Sequence, residues 1–178
     1  MIRPGGGPEP DGEREATAMG PFYKRAGRTY DVDRIDASLR AAIAAHAEGH
    51  QLGDVLGRTA LCFETDSVRL RKPGLFARLM GTADPDTSHR TLTLVAPPFV
   101  VVVVTGERRG VHVRSARLDA VSLDESPFPG GIDKGVRIAG MWSGSSEGAS
   151  FFLGVGDDAE GRRLLDTLRT AVTEAKSG

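Results

Sequence analysis

Cysteine is nearly absent. Cys62 stands alone among 178 residues, which excludes an internal disulfide and any multi-cysteine zinc site. Set between Leu61 and Phe63, it reads as a buried, inert thiol. An excess of one charge is also lacking. With 23 Lys+Arg against 24 Asp+Glu the net charge is −1, which argues against a protein that holds nucleic acid through general positive charge. No apolar run is long. Leu92 to Val104 is interrupted by Thr93, Pro97 and Pro98 and falls short of the roughly 20 residues a spanning helix needs. Met1 to Gly20 offers Gly, Pro and Glu where a secretory leader would carry an apolar stretch. These absences predict a soluble cytoplasmic protein, with peripheral membrane association left open. The length suits one domain plus a tail. A domain of about 150 residues buries roughly 68–70% of its unfolded surface, so it needs no covalent staple.

What is present is a change of period along the chain. Residues 1–29 read as a disordered tail, because Gly5-Gly6-Gly7-Pro8 and Gly12 give little to bury against the entropy of ordering. Phe22 and Tyr23 are its only features able to dock. Residues 30–57 read as a helix and connector. Val32, Ile35, Leu39 and Ile43 recur at helical spacing over Asp31 to Glu48, with Asp31 or Asp33 as cap and Gly49 as stop.

From residue 58 to 178 the pattern predicts one β-rich domain. Leu61/Phe63 and Val68/Leu70 alternate on either side of Glu64-Thr65-Asp66-Ser67, which reads as a bulge or tight turn. Leu92/Leu94 and then Phe99 to Val104 follow, split at Pro97-Pro98. Five consecutive valines suit a strand covered on both faces, since β-branched side chains lose rotamer freedom in a helix. Val111/Val113, then Leu118, Val121 and Leu123 with a phase slip at Val121, continue the strands. Val136/Ile138 and Phe151/Leu153/Val155 make the last pair. A closing helix opens near Asp157, with Glu160 as capping-box partner, and carries the stripe Leu164, Leu165, Leu168 and Val172.

Short antiparallel strands closed by one C-terminal helix resemble the bacterial pleckstrin-homology-like superfold. The resemblance covers roughly residues 58–176 and rests on the Phe99–Val113 strand pair, its continuation from Ala116 to Leu123, and the Phe151–Val172 ending. It implies an α+β fold: a mostly antiparallel seven- to eight-stranded β-barrel or bent sandwich, capped by the C-terminal helix and preceded here by an extra N-terminal helix. Its closing helix carries no Trp, whereas eukaryotic members place one there; Trp142 lies on or after a strand. The superfold hosts phosphoinositide binders, phosphopeptide binders and scaffolds, so it does not choose a function.

Three catalytic or cofactor motifs match in letters only. Gly154-Val155-Gly156-Asp157-Asp158-Ala159 has dinucleotide-fingerprint spacing, but two carboxylates at a helix N-terminus repel a pyrophosphate. Gly144-Ser145-Ser146-Glu147-Gly148 has the nucleophile-elbow pattern, yet a strand follows where that motif needs a helix. His46 and His50 are four apart, but no third metal ligand is evident and both read as solvated helix-end residues. No cofactor and no catalytic set is therefore expected.

The strongest functional candidate is the stretch after the first predicted strand. Arg69, Arg71, Lys72 and Arg78 resemble the basic residues that pleckstrin-homology lipid binders place there. Arg69 and Arg71 share one face of a strand, so both can reach one anion. Leu75, Phe76, Leu79 and Met80 have the spacing of a short helical turn with an apolar face. A basic rim around an apolar knob suits either an anionic membrane surface or a protein groove. A knob folded back into the core is the competing expectation. The first reading is a non-catalytic adaptor or assembly module with an unidentified protein partner. The second is a peripheral membrane protein binding anionic headgroups, and the third an enzyme whose pocket converges only in space.

Overall fold

A computed structural model describes residues 21–70, 85–125 and 134–178. Among the described residues, eight strands and two α-helices follow in the order β1 (Tyr23–Tyr30), α1 (Ala37–Gly49), β2 (Leu61–Arg69), β3 (Ser88–Ala96), β4 (Phe99–Gly106), β5 (Gly110–Arg117), β6 (Ser122–Asp124), β7 (Gly135–Gly140), β8 (Ala149–Gly154) and α2 (Ala159–Ser177). The fold is α+β, with two antiparallel sheets and a C-terminal helix. Strands β1 to β5 form one sheet in sequence order, and β6 to β8 form the other. An isolated bridge between Ala116 and Trp142 is the contact at which backbone pairing reaches beyond the named strands, among the described residues. The barrel expectation is corrected to two separate ladders packed around shared cores.

The valine run explains the layering. Val100 and Val102 point into a core built with β7, β8 and α2, whereas Val101 and Val103 point into a second core under α1. Alternation in one strand thus supplies both cores, and all four side chains are sealed from water. Phe63, Trp142, Leu164 and Leu168 fill the first core; Leu39, Ile43, Leu92 and Leu94 fill the second. Leu165, expected in the α2 stripe, is only partly buried, and Ala171 takes a place in the core.

Three expectations about the N-terminal half are corrected. Residues 23–29 are not a tail but most of β1, which pairs along the whole of β2 from Tyr23 opposite Arg69 to Tyr30 opposite Cys62. Gly27 makes that pairing possible, because a Cβ there would collide with the Phe63 ring. The helix does not precede the sheet as an added element; it lies between β1 and β2 in sequence and covers the sheet. It also starts later than expected. Asp31 caps a single 3₁₀ turn at Val32–Arg34, and Asp36 caps α1 by accepting from the Leu39 N–H at 3.0 Å.

Glu64-Thr65-Asp66-Ser67 forms neither bulge nor turn; all four lie inside β2. Glu64 is 2% exposed on the α1 side. There it pairs with Arg28 from β1 and Arg90 from β3, the latter at 3.3 Å, and Arg90 also reaches Asp36 at 3.3 Å. Arginines from adjoining strands satisfy a carboxylate that burial alone would penalise. The slip at Val121 is likewise no bulge, because a 3₁₀ turn at Leu118–Ala120 separates β5 from β6. At the C-terminal helix, Asp158 is the cap and accepts from the Gly161 N–H at 2.7 Å. Glu160 instead accepts the Thr29 N–H at 3.0 Å, tying the start of α2 to the end of β1. No described helix is long and apolar enough to cross a membrane.

Candidate functional site

Arg69 ends β2, and its guanidinium donates to the backbone carbonyl of Asp86, just before β3. That contact directs the side chain across the sheet end. Arg71, Lys72, Leu75, Phe76, Arg78, Leu79 and Met80 lie outside the described residues. The two ends of their connection are well defined. The Arg69 N–H donates to the Thr87 carbonyl at 2.8 Å, and the Leu70 N–H donates to the Phe22 carbonyl at 2.9 Å.

Asp86 organises this end of the sheet. It is buried, and it accepts from the Arg108 N–H at 2.7 Å and from Arg109 Nε at 2.9 Å. The Arg108 amide first, and then the Arg109 contacts, hold its carboxyl below the usual carboxylate range. Gly106 makes room, since a Cβ there would strike the Asp86 carboxylate. The tight β4–β5 turn is thereby fixed to the start of β3.

Beside this anchor the surface is apolar. Phe22 is 41% exposed, Val68 48% and Leu70 55%, on adjoining ends of β1 and β2. Val68 also borders an open groove of about 570 Å³, together with Asp66, Ser88, Arg90, Glu107 and Val111. Val111, 47% exposed, is the groove's second large apolar side chain. Its rim carries charges of both signs.

His46 is not a solvated helix-end residue. Its Nε2 lies 3.0 Å from Ser115 Oγ and 3.3 Å from Ser143 Oγ, and the Ser143 hydroxyl accepts from the Ser115 N–H at 2.9 Å. Burial, and then the neighbouring His50 ring 4.4 Å away, lower its pKa, so the neutral imidazole is favoured. A serine beside a histidine suggests nucleophilic chemistry, but Ser115 is buried in the sheet. No carboxylate orients the ring among the described residues. The group pins α1 to β5 and to the segment after β7. His46 and His50 gain no third ligand either, since no set of three His, Cys, Asp or Glu side chains gathers among the described residues. Cys62 is buried, and burial, followed by Glu64 and Asp31, pushes its pKa up to about 12, which keeps it protonated and inert.

No family model, curated protein or solved structure matches this chain. The residues that sequence reasoning missed are Arg25, Ser67, His89, Thr91 and Arg109, which gather between the two sheets. A signal for the strand members was present. On β2 and β3, Thr65 and Ser67 continue the phase of Leu61 and Phe63, while Thr93, Thr91 and His89 continue the phase of Val95. Polar residues in phase with core residues mark a face that turns from sealed to wet.

Proposed function

We propose that this chain is a non-catalytic, pleckstrin-homology-like interaction module whose contact surface lies across the end of the five-stranded sheet where β2 finishes and β5 begins. The fold part is supported by element order: β2 to β5, then β6 to β8, then the closing helix α2. On this reading β1 and α1 are additions that lengthen and cover the first sheet. The function part is carried by one observation. Val68 and Val111 stand exposed in a groove whose rim mixes Asp66 and Glu107 with Arg90, and Phe22 and Leu70 stand exposed on the adjoining ends of β1 and β2. Exposed apolar side chains grouped in this way mark contact sites. A rim of both signs suits a protein segment better than an anionic bilayer, which would meet Asp66 and Glu107 as repulsion.

The partner is therefore a protein segment that presents apolar side chains to Val68 and Val111. A photo-cross-linking residue at position 70, followed by mass spectrometry, tests it in native extract. Cross-links to a defined partner surface should appear and should vanish when Val68→Ser and Val111→Ser are combined. Binding instead to anionic vesicles, lost with rising salt, would replace this reading by the peripheral-membrane one.

A further inference from the structure

At the end of the molecule where Arg69 meets Asp86, the two sheets part around a pocket of about 160 Å³. With liquid water taking roughly 30 Å³ per molecule, that is space for a small ion and a few waters. Its floor is polar. Ser67 and Thr91 contribute from β2 and β3, both buried, and His89 lies at the same end of β3. Deeper on the same face, Thr65 sits directly opposite Thr91 and Thr93 opposite Phe63. The Thr65 and Thr93 hydroxyls are buried without a hydrogen-bond partner among the described residues. Such groups cost stability in an apolar interior, so this face is built for polar content and not for tighter packing.

The walls are cationic. Arg25 enters from β1 and lies over the Tyr23 ring at 5.0 Å and the Phe152 ring at 5.8 Å. Gly154 on β8 gives it that position, since a Cβ there would overlap the guanidinium. Arg109 enters from the β4–β5 turn with Asp86 behind it. A guanidinium carries five N–H donors in a planar fork, which lets one arginine serve a carboxylate and a second oxyanion together. Among the described residues lining the pocket there is no carboxylate.

From this convergence we infer that the inter-sheet pocket binds a small tetrahedral oxyanion of the phosphate class between Arg25 and Arg109. The donors come from separate directions: β1 on one side, the β4–β5 turn on the other, and the hydroxyls of β2 and β3 beneath. A non-planar donor set fits a tetrahedral anion better than a flat carboxylate. Ser67 and His89 border both this pocket and the groove of the contact surface proposed above, but Arg25, Thr91 and Arg109 line the pocket alone while Val68 and Val111 line the groove alone.

The probe is inorganic phosphate, titrated calorimetrically into the full chain at constant ionic strength, with chloride as the control anion. Saturable binding to the native protein is expected, with none for chloride. Arg25→Gln should weaken it at least about tenfold, the loss of one charge-assisted donor pair. Gly154→Ala is the second variant. It displaces the flexible Arg25 tip without touching either core, and it should weaken binding while far-UV circular dichroism stays native. A second arm uses phosphatidylcholine vesicles containing phosphatidic acid. Vesicle binding competed by free phosphate assigns the anion to a lipid headgroup, and phosphate binding without it assigns a soluble phosphate. Absence of saturable phosphate binding overturns the inference. So does binding of unchanged strength in a folded Gly154→Ala or Arg25→Gln protein.

Discussion

On its outer face the five-stranded sheet carries α1, and the buried polar groups there have partners: Glu64 has Arg28 and Arg90, and Ser115 has His46. On its inner face the same sheet meets β6 to β8 and α2, and the covering changes along the strands. Near α2 the contact is sealed by Phe63, Leu164 and Leu168, none more than marginally exposed. Toward Arg69, past the buried and unpartnered hydroxyls of Thr65 and Thr93, it opens into the hydroxyls of Ser67 and Thr91 and the guanidinium groups of Arg25 and Arg109. Helix α1 therefore acts as a lid that completes the fold. The inner layer completes a core at one end and leaves chemistry at the other. A surface that has to bind something polar cannot also be packed to closure.

The harshest way to break this comparison is to remove the strand that serves both faces. A chain starting at Thr29 loses most of β1, and with it the Arg28 partner of Glu64, the Gly27 cover over Phe63 and the Arg25 wall of the pocket. That loss should exceed the roughly 5–15 kcal/mol by which a domain is stable. Thermal unfolding should show no cooperative transition. A native-like melting curve for this truncation would return residues 23–29 to the status of a tail.

Next in size are single cavities, which compare the two coverings directly. Leu168→Ala in α2 and Ile43→Ala in α1 each remove a side chain that is essentially fully buried. Each should cost about 2–5 kcal/mol in urea denaturation. Similar losses mean that α1 is as integral as α2. A loss for Leu168→Ala alone would make α1 an appendage to a smaller domain, and that outcome would count against the lid.

Legibility followed the same division. The valine run and the α2 stripe were readable because each buries apolar residues at its own local period, 2 for the strand and 3.6 for the helix. The run Glu64-Thr65-Asp66-Ser67 was not readable. Glu64 is held inside by Arg28 and Arg90, and Ser67 lines a pocket between the sheets, and none of these partners is near in sequence. β1 hid for a related reason. Its inward positions are Tyr23, Arg25, Gly27 and Thr29, with Arg25 lining the pocket and Gly27 lying against the Phe63 ring, so the strand lacks aliphatic alternation. Of the candidate site, the stretch singled out in the sequence starts at Arg69, at the same end of β2 as the pocket. The pocket behind it is a product of topology, since its walls lie on β1, β2, β3, β8 and the β4–β5 turn.

A pH dependence tests the outer pin. Burial lowers the folded-state pKa of His46 below its ordinary 6.5, so the folded state favours the neutral ring. The unfolded chain takes up a proton first as pH falls. His46 thus contributes stability that is present above pH 6.5 and is lost as pH falls through the lowered value. Denaturation midpoints measured on either side of pH 6.5 should show the loss, and His46→Gln should flatten that part of the curve. An unchanged slope in His46→Gln would mean that the ring is hydrated and α1 is held by its aliphatic residues alone.

The smallest effect is expected where the proposed contact surface lies. Val68 and Leu70 are about half exposed, so Val68→Ser with Leu70→Ser removes side chains that water already touches. Surface changes of this kind usually stay within about 0.5 kcal/mol each. The denaturation midpoint should therefore move little, in contrast to Ile43→Ala on the same face of the sheet. A loss of several kcal/mol would show that the segment between β2 and β3 packs over Val68 and Leu70 and buries them. The groove would then be interior, and the contact surface would have to be sought elsewhere. A near-silent double mutant leaves two apolar side chains facing water with no role in stability, and such side chains are expected to be kept for what they touch.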